Sequence, residues 1–284
     1  MTEQRARTAT IAALHAYPIK SCRGLTMHSA VTTQTGLAGD REWMVVDENG
    51  RFLTQREVPR LALIVPTPSQ AGLRVTAPGM PELVLPAKQT EPTVRVTVWS
   101  DTVDANDAGE EGAAWFSKFL GRAVRVVRFA PQARRPSSRD WTGDVVALNY
   151  FSDGYPILVI SRASLADLNS RLETALPMNR FRPNIVIDGV EPYDEDRIHE
   201  LGAGDLRLRI VKPCARCKIT TTEQSTGEVM GEEPLRTLKS YRWSQELRGV
   251  LFGQNVIATS GIGAALKVGQ DLEVVWKPSL APRR

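Results

Sequence analysis

Leu206-Arg207-Leu208-Arg209-Ile210-Val211-Lys212-Pro213-Cys214-Ala215-Arg216-Cys217-Lys218-Ile219-Thr220-Thr221-Thr222 alternates apolar and basic residues, then runs into a Cys-x-x-Cys pair and a β-branched tail. The alternation over Leu206–Val211 predicts a half-buried strand. The Ile-Thr-Thr-Thr run after the pair is a poor helix start. A thioredoxin-like dithiol sits at a helix N-terminus, where the dipole lowers its thiol pKa, so the local pattern disfavours one and argues for a β-fold. A structural zinc site needs four ligands, whereas the chain has one Cys-x-x-Cys and three scattered histidines, His15, His28 and His199. Two readings stay open. One is a single thiolate bound to a heavier metal whose other ligands come from a cofactor; the other is two small apolar fillers on a strand. Arg216 and Lys218 favour ionised sulfur in the first case.

Short strands recur outward from this segment. Thr10–Tyr17, Arg41–Val46, Arg51–Thr54, Val58–Val65, Leu73–Thr76, Leu83–Leu85, Val94–Trp99 and Val124–Phe129 are predicted strands, with Asn49-Gly50 a hairpin turn. Many short strands punctuated by Pro and Gly predict a barrel or sandwich rather than a parallel sheet. A helix over Glu110–Leu120 ends at Gly121. In the second half Ile157–Ile160, Asn184–Ile187 and Leu206–Val211 are strands. Ser164–Leu172 is a helix with Ser164 as its cap, and Pro234 opens a short helix through Tyr241. Val268–Asp271 is a turn between strands. The Pro-, Arg- and Ser-rich Pro131–Arg139 is the expected linker, which divides the chain at 8–130 and 131–278, and Arg134-Arg135 is expected to be solvated. The fold class is therefore α+β and β-rich.

The chain has 284 residues, 42% hydrophobic and 24% charged, with net charge +4. That suits a globular protein and leaves room for a phosphate-bearing ligand, and no long basic run asks for nucleic acid. No signal peptide and no membrane span is visible. Three cysteines do not make a disulfide framework in a chain of this size, so a reducing cytoplasm is expected.

Four further segments carry groups suited to an anion. Tyr17-Pro18-Ile19-Lys20-Ser21-Cys22-Arg23-Gly24 offers backbone N–H groups, a hydroxyl and an ammonium, or is an ordinary polar turn. In Gly36-Leu37-Ala38-Gly39-Asp40-Arg41, Asp40 caps a turn and Arg41 pairs with a surface carboxylate, or Arg41 is aimed at a ligand. In Asn179-Arg180-Phe181-Arg182-Pro183-Asn184, Pro183 is expected to hold Arg182 extended, either as an anion clamp or as a surface side chain. In Phe151-Ser152-Asp153-Gly154-Tyr155-Pro156, Asp153 bonds its own turn unless a cofactor lies beside it.

Taken in order, Tyr17-Pro18-Ile19-Lys20-Ser21, Gly39-Asp40-Arg41, Phe181-Arg182-Pro183-Asn184, Cys214-x-x-Cys217, Glu233-Pro234-Leu235 through Tyr241-Arg242, and Leu251-Phe252-Gly253-Gln254 resemble the MOSC family. The closer resemblance is to its branch of amidoxime-reducing components and related bacterial reductases. That resemblance implies an N-terminal MOSC-associated β-barrel domain, then a MOSC domain, itself a distorted barrel with peripheral helices. It implies a molybdenum-molybdopterin cofactor, with one pyranopterin dithiolene, held by Cys217. Lys20, Ser21, Arg41, Arg182, Asn184 and Arg216 stand where cofactor contacts are expected, with Gly154, Tyr155 and Asn255 in matching segments. Asp153 would lie beside the metal, to relay protons or orient substrate.

The chemistry implied is two-electron reduction of amidoximes, hydroxylamines and hydroxylated nucleobases, small N-hydroxylated molecules that leave as the N–H product and water. Nothing past Trp276 supplies the thiolates of an iron–sulfur domain, and no targeting or anchoring segment is visible. The expected donor is therefore a separate ferredoxin- or cytochrome b5-like protein with its reductase. Two other functions compete: a molybdenum-cofactor carrier or sulfur-binding module without turnover, and a thiol–disulfide or persulfide protein that uses Cys214 and Cys217 together.

Overall fold

The computed structural model describes residues 7–87 and 93–278. Seven strands close on themselves as a barrel: β1 (Thr8–Ala16), β2 (Ile157–Ser161), β3 (Ile185–Asp188), β4 (Ile198–Ala203), β5 (Leu206–Ala215), β6 (Gly249–Ser260) and β7 (Asp271–Trp276). The ring runs β2-β3-β1-β7-β4-β5-β6 and returns to β2 through the β2–β6 pairing. All neighbours are antiparallel except β2 and β3, which are parallel and joined through the helix Arg162–Ser170.

Alternation explains how these sequences fill the interior. Leu206, Leu208 and Ile210 of β5 are buried, while Arg207, Arg209 and Val211 lie between them at intermediate exposure. In β1 the buried set changes phase, from Ala9 and Ile11 to Leu14 and Ala16. A register shift between Ile11 and Ala13 against β3 supplies the extra residue, as a β-bulge does. At the closing seam, Gly253 of β6 has φ +81°, and a Cβ there would lie 2.6 Å from Ile160 Cγ1 and 2.9 Å from the Val159 carbonyl. Only glycine lets the two backbones come this close.

The other body of the chain, between β1 and β2, holds a four-stranded antiparallel sheet in the order Trp43–Val46, Arg125–Phe129, Asp101–Asp107, Thr93–Val98. A three-stranded meander, Val65–Ser69, Gly72–Thr76 and Leu83–Pro86, lies in the same part of the chain. Trp115, Phe116, Phe119 and Leu120 share a face of the helix Gly109–Leu120 and are buried with Leu73, Leu83 and Val126 in one core. That helix ends at Gly121 in the left-handed conformation. Strand β1 comes from the first sixteen residues, yet it is a stave of the barrel that residues 157–276 otherwise build.

Several sequence expectations are corrected here. Val58–Val65 is not a strand, since Pro59–Leu63 forms a 3₁₀ turn with Leu61 N bonded to Val58 O and Ile64 N to Leu61 O. Pro59 lacks the N–H a ladder needs and suits a first helical turn. The cap of the helix after β2 is Ser161, whose hydroxyl accepts from Ser164 N at 3.0 Å, so Ser164 sits inside the first turn. Val268–Asp271 does turn between strands as expected, and the strands it joins go to different partners: Ala265–Lys267 runs against Ser29–Thr33, while β7 lies between β1 and β4. Arg135 is not a solvated charge but 3% exposed, and the Pro131–Arg139 segment is tied down by it.

Candidate active site

Eleven residues singled out in the sequence line one cleft. They are Lys20, Ser21, Arg41, Asp153, Gly154, Tyr155, Arg182, Asn184, Arg216, Cys217 and Asn255. The cleft has a cavity volume of about 120 Å³, and Ser152, Leu158, Phe181, Cys214, Ala215 and Ile219 complete its walls. It draws on the segment that follows β1, on β2, on the segment that leads into β3, and on β5 and β6.

Tyr17 is the pivot of its basic side. The ring is buried, its hydroxyl donates to the Pro183 carbonyl at 3.0 Å, and burial pushes its pKa up to about 12. The guanidinium of Arg41 lies 4.3 Å from the ring centroid and that of Arg182 lies 4.2 Å from it. Arg41 donates to Asp40 Oδ2 at 2.6 Å and to Asn184 Oδ1 at 2.9 Å. Its partner is therefore the adjacent, buried Asp40 rather than a surface carboxylate, and Asp40 also accepts from Tyr17 N. Asn184 works mainly as a strut: Oδ1 accepts from Arg41 and from Leu158 N, and Nδ2 donates to the His15 carbonyl.

Arg182 differs from its neighbours. It is 8% exposed and, among the described residues, makes no side-chain hydrogen bond and no ion pair. Burial pushes its guanidinium down to about 10. Its φ is +56°, not the extended value expected before Pro183. Ser21 (φ +65°) and Arg41 (φ +49°) also hold left-handed backbones. Such strain persists only where the surroundings over-determine it, and it gathers at functional sites.

Another group of the cleft centres on Asp153. Lys20 Nζ donates to Asp153 Oδ1 and to the Phe151 carbonyl, the latter at 2.8 Å, and burial lowers the Lys20 pKa. Trp99 Nε1 donates to the same Asp153 oxygen at 3.1 Å. Desolvation alone would raise the Asp153 pKa, but Lys20, the Trp99 hydrogen bond and Arg56 overcome it and hold the carboxyl well below the usual carboxylate range. Asp153 is thus an acceptor bonded to other segments, not to its own turn. The loop that carries it hangs on Arg135, which donates to Asn149 Oδ1 and the carbonyls of Tyr150, Ser152 and Asp153, and also pairs with Asp101.

The cysteine segment ends β5. Cys214 Sγ accepts from Arg216 Nη1 at 3.0 Å, and Arg216 Nη2 donates to the Phe181 carbonyl at 2.6 Å. Cys217 opens a single 3₁₀ turn, Lys218–Thr221, which the sequence does not announce; its carbonyl accepts from Thr220 N, and among the described residues no hydrogen bond reaches its thiol. Arg180, only 1% exposed, was passed over in the sequence. It donates to the carbonyls of Thr220 and Thr221 and pairs with Glu223, which fixes the far end of that turn. Its one sequence signal is the N-R-F-R-P-N context it shares with Arg182. Cys22, by contrast, is fully buried in the core beside Ile19 and Trp43, and burial raises its pKa.

These residues make the cleft fit an anionic group that brings its own metal ligands. Arg182 and Arg216 have no carboxylate partner among the described residues, and Arg216 Nε and the Tyr155 hydroxyl are buried without any partner. The Ser21 hydroxyl is likewise unbonded. A Cβ at Gly154 would meet no protein atom within 4 Å, so the space beside it is open. Among the described residues no three His, Cys, Asp or Glu side chains gather into a metal cage, and the soft donors in the cleft are the sulfurs of Cys214 and Cys217, the former bonded by Arg216. Asn255 donates weakly to the Pro213 carbonyl at 3.5 Å.

A fold of this kind with this cleft is a MOSC protein. Residues 8–123 match the MOSC N-terminal beta barrel domain and residues 148–273 match the MOSC domain. The chain belongs to the MOSC family, in the branch of the amidoxime-reducing components. It is 41% identical to mitochondrial amidoxime-reducing component 1 of Mus musculus over 260 residues, covering 87% of this chain and 76% of that protein. The human component 1 is 39% identical, at 88% and 77% coverage, and component 2 of Bos taurus is 37% identical, at 83% and 73%.

Proposed function

We propose that this protein is a molybdenum-cofactor-dependent reductase of small N-hydroxylated compounds, supplied with electrons by a separate donor protein in the cytoplasm. The observation that carries the proposal is the pairing, in one cleft, of the Cys217 thiol with the guanidinium groups of buried Arg182 and half-buried Arg216, none of which has a carboxylate partner among the described residues. The names of the relatives point to amidoximes as substrates. The three unbridged cysteines suit a reducing compartment.

In this reading Arg182, Arg216, Ser21 and Tyr155 would hold the anionic cofactor, Arg41 and Lys20 would complete the positive field, and Cys217 would ligate the metal. The cofactor supplies the two-electron chemistry when bound. The net reaction converts N–OH, two electrons and two protons to N–H and water. Asp153 is held ionised, so it accepts a hydrogen bond from substrate and orients it rather than serving as a general acid. Arg180 and Arg135 set the Cys217 turn and the Asp153 loop from behind.

The test is metal and pterin analysis of protein purified from cells that make the cofactor, with turnover of an amidoxime under a chemical reductant. About one molybdenum and one pterin per chain, with amidine formed, is the expected result. Protein consistently free of both overturns the proposal, while bound cofactor without turnover points to a carrier.

A further inference from the structure

The antiparallel pair Thr93–Val98 and Asp101–Asp107 is closed by Val98 opposite Asp101, so Trp99 and Ser100 form the whole turn. Trp99 occupies its first position with φ +57°. Hairpins of this length normally give such a position to glycine, and a bulky aromatic there is strained. Burial does not explain the residue, because Trp99 is 42% exposed.

The surroundings hold the indole in place nonetheless. The Arg56 guanidinium lies 4.2 Å from its ring centroid, Phe52 packs against it at 5.2 Å, and its Nε1 donates to Asp153 Oδ1. That carboxylate lines the cleft, and its side chain is 63% exposed. Oδ1 is taken by Lys20 and Trp99, whereas Oδ2 has no partner among the described residues. Beside the cleft, then, stands a part-exposed indole that Arg56 covers on one side, bonded to a cleft carboxylate whose second oxygen has no partner among the described residues.

We infer that Trp99 selects the organic part of the substrate: a flat aryl or heteroaryl group carrying the N-hydroxylated amidine, stacked on the indole while Asp153 Oδ2 accepts the amidine N–H. This rests on the reductase reading for the identity of the reactive group, but the recognition step can be measured without turnover. Small aliphatic N-hydroxylated compounds gain nothing from the ring, and aryl ones gain one stacking contact, worth roughly a 3- to 10-fold preference.

The test compares benzamidine with acetamidine, the amidine products of the two corresponding amidoximes, by titration calorimetry on the cofactor-loaded protein. It uses wild type, Trp99→Phe and Trp99→Leu. Wild type should bind benzamidine roughly 3- to 10-fold more tightly, Trp99→Phe should keep most of that preference, and Trp99→Leu should lose it. The ratio of kcat/KM for benzamidoxime over acetamidoxime should fall in parallel. An unchanged preference in Trp99→Leu, or none in wild type, overturns the inference, as does an equal loss of affinity for both ligands. If the preference behaves as expected and neither amidoxime is reduced, the Trp99 assignment stands and the reductase reading falls.

Discussion

Replacing Arg182 with methionine should make the cofactor-free protein no less stable while it weakens cofactor retention. At pH 7 the guanidinium is charged in both the folded and the unfolded chain. Burial pushes it from 12.5 down to about 10 in the folded state. At 1.36 kcal/mol per pH unit, the folded protein carries roughly 3 kcal/mol of unfavourable charge burial. For a base with a depressed folded pKa, that cost is present in full below about pH 10 and fades only as pH rises towards 12.5. Methionine removes it and keeps most of the apolar stem. What is lost is the cation–π contact with Tyr17 at 4.2 Å, about 2 kcal/mol for a desolvated pair.

The net is a gain of about 1 kcal/mol, or roughly 2–4 °C in Tm for a chain of this size. A charge-assisted hydrogen bond to the cofactor is worth about 1.5–3 kcal/mol, so its loss weakens binding roughly 10- to 150-fold. The assay is thermal unfolding of protein made without cofactor, beside molybdenum and pterin content of protein made with it. Arg182→Lys, which keeps the charge but loses the planar fork, should fall between. An Arg182→Met protein that melts several degrees lower and still holds a full complement of cofactor would refute the reasoning, because Arg182 would then be a structural residue.

Cys217→Ala should abolish molybdenum retention and turnover while Cys214→Ala leaves most of both; equal losses would mean that the two sulfurs act as a pair. Asp153→Asn leaves the buried Lys20 ammonium without its carboxylate and should cost about 2 kcal/mol near neutral pH. Because burial lowers the Lys20 pKa, that deficit in denaturant unfolding should shrink as pH rises towards the ordinary lysine value, and a pH-independent deficit would contradict the pairing. Gly253→Ala should cost about 3 kcal/mol, from its left-handed φ and the 2.6 Å approach to Ile160, and lower Tm by roughly 6–12 °C.

The β-rich class and the gathering of the eleven cleft residues were legible because short motifs with unusual residues mark them. Alternation in Leu206–Val211 and the turn residues mark the strands, and the ordered motifs mark the cleft. What escaped was set by distant contacts. Arg134-Arg135 looks like any solvated basic pair, and nothing local says that Asn149 and three carbonyls wait for Arg135. Arg180 is hidden for the same reason, since its partners lie forty residues on. The left-handed backbone of Arg182 runs against the local preference before proline, and only the packed site holds it there. Strand β6, the longest stave, was missed because glycine and polar residues break its pattern where it bends across β5 and β2.

Placing β1 between β3 and β7 has a consequence for synthesis. The first stave to leave the ribosome cannot find its outer neighbour until Asp271–Trp276 has emerged, about 255 residues later. The ring is therefore sealed only after Trp276 has been made, a non-local pairing of the slow kind. Until that pairing forms, the nascent barrel has two unsatisfied edges that a chaperone is suited to shield.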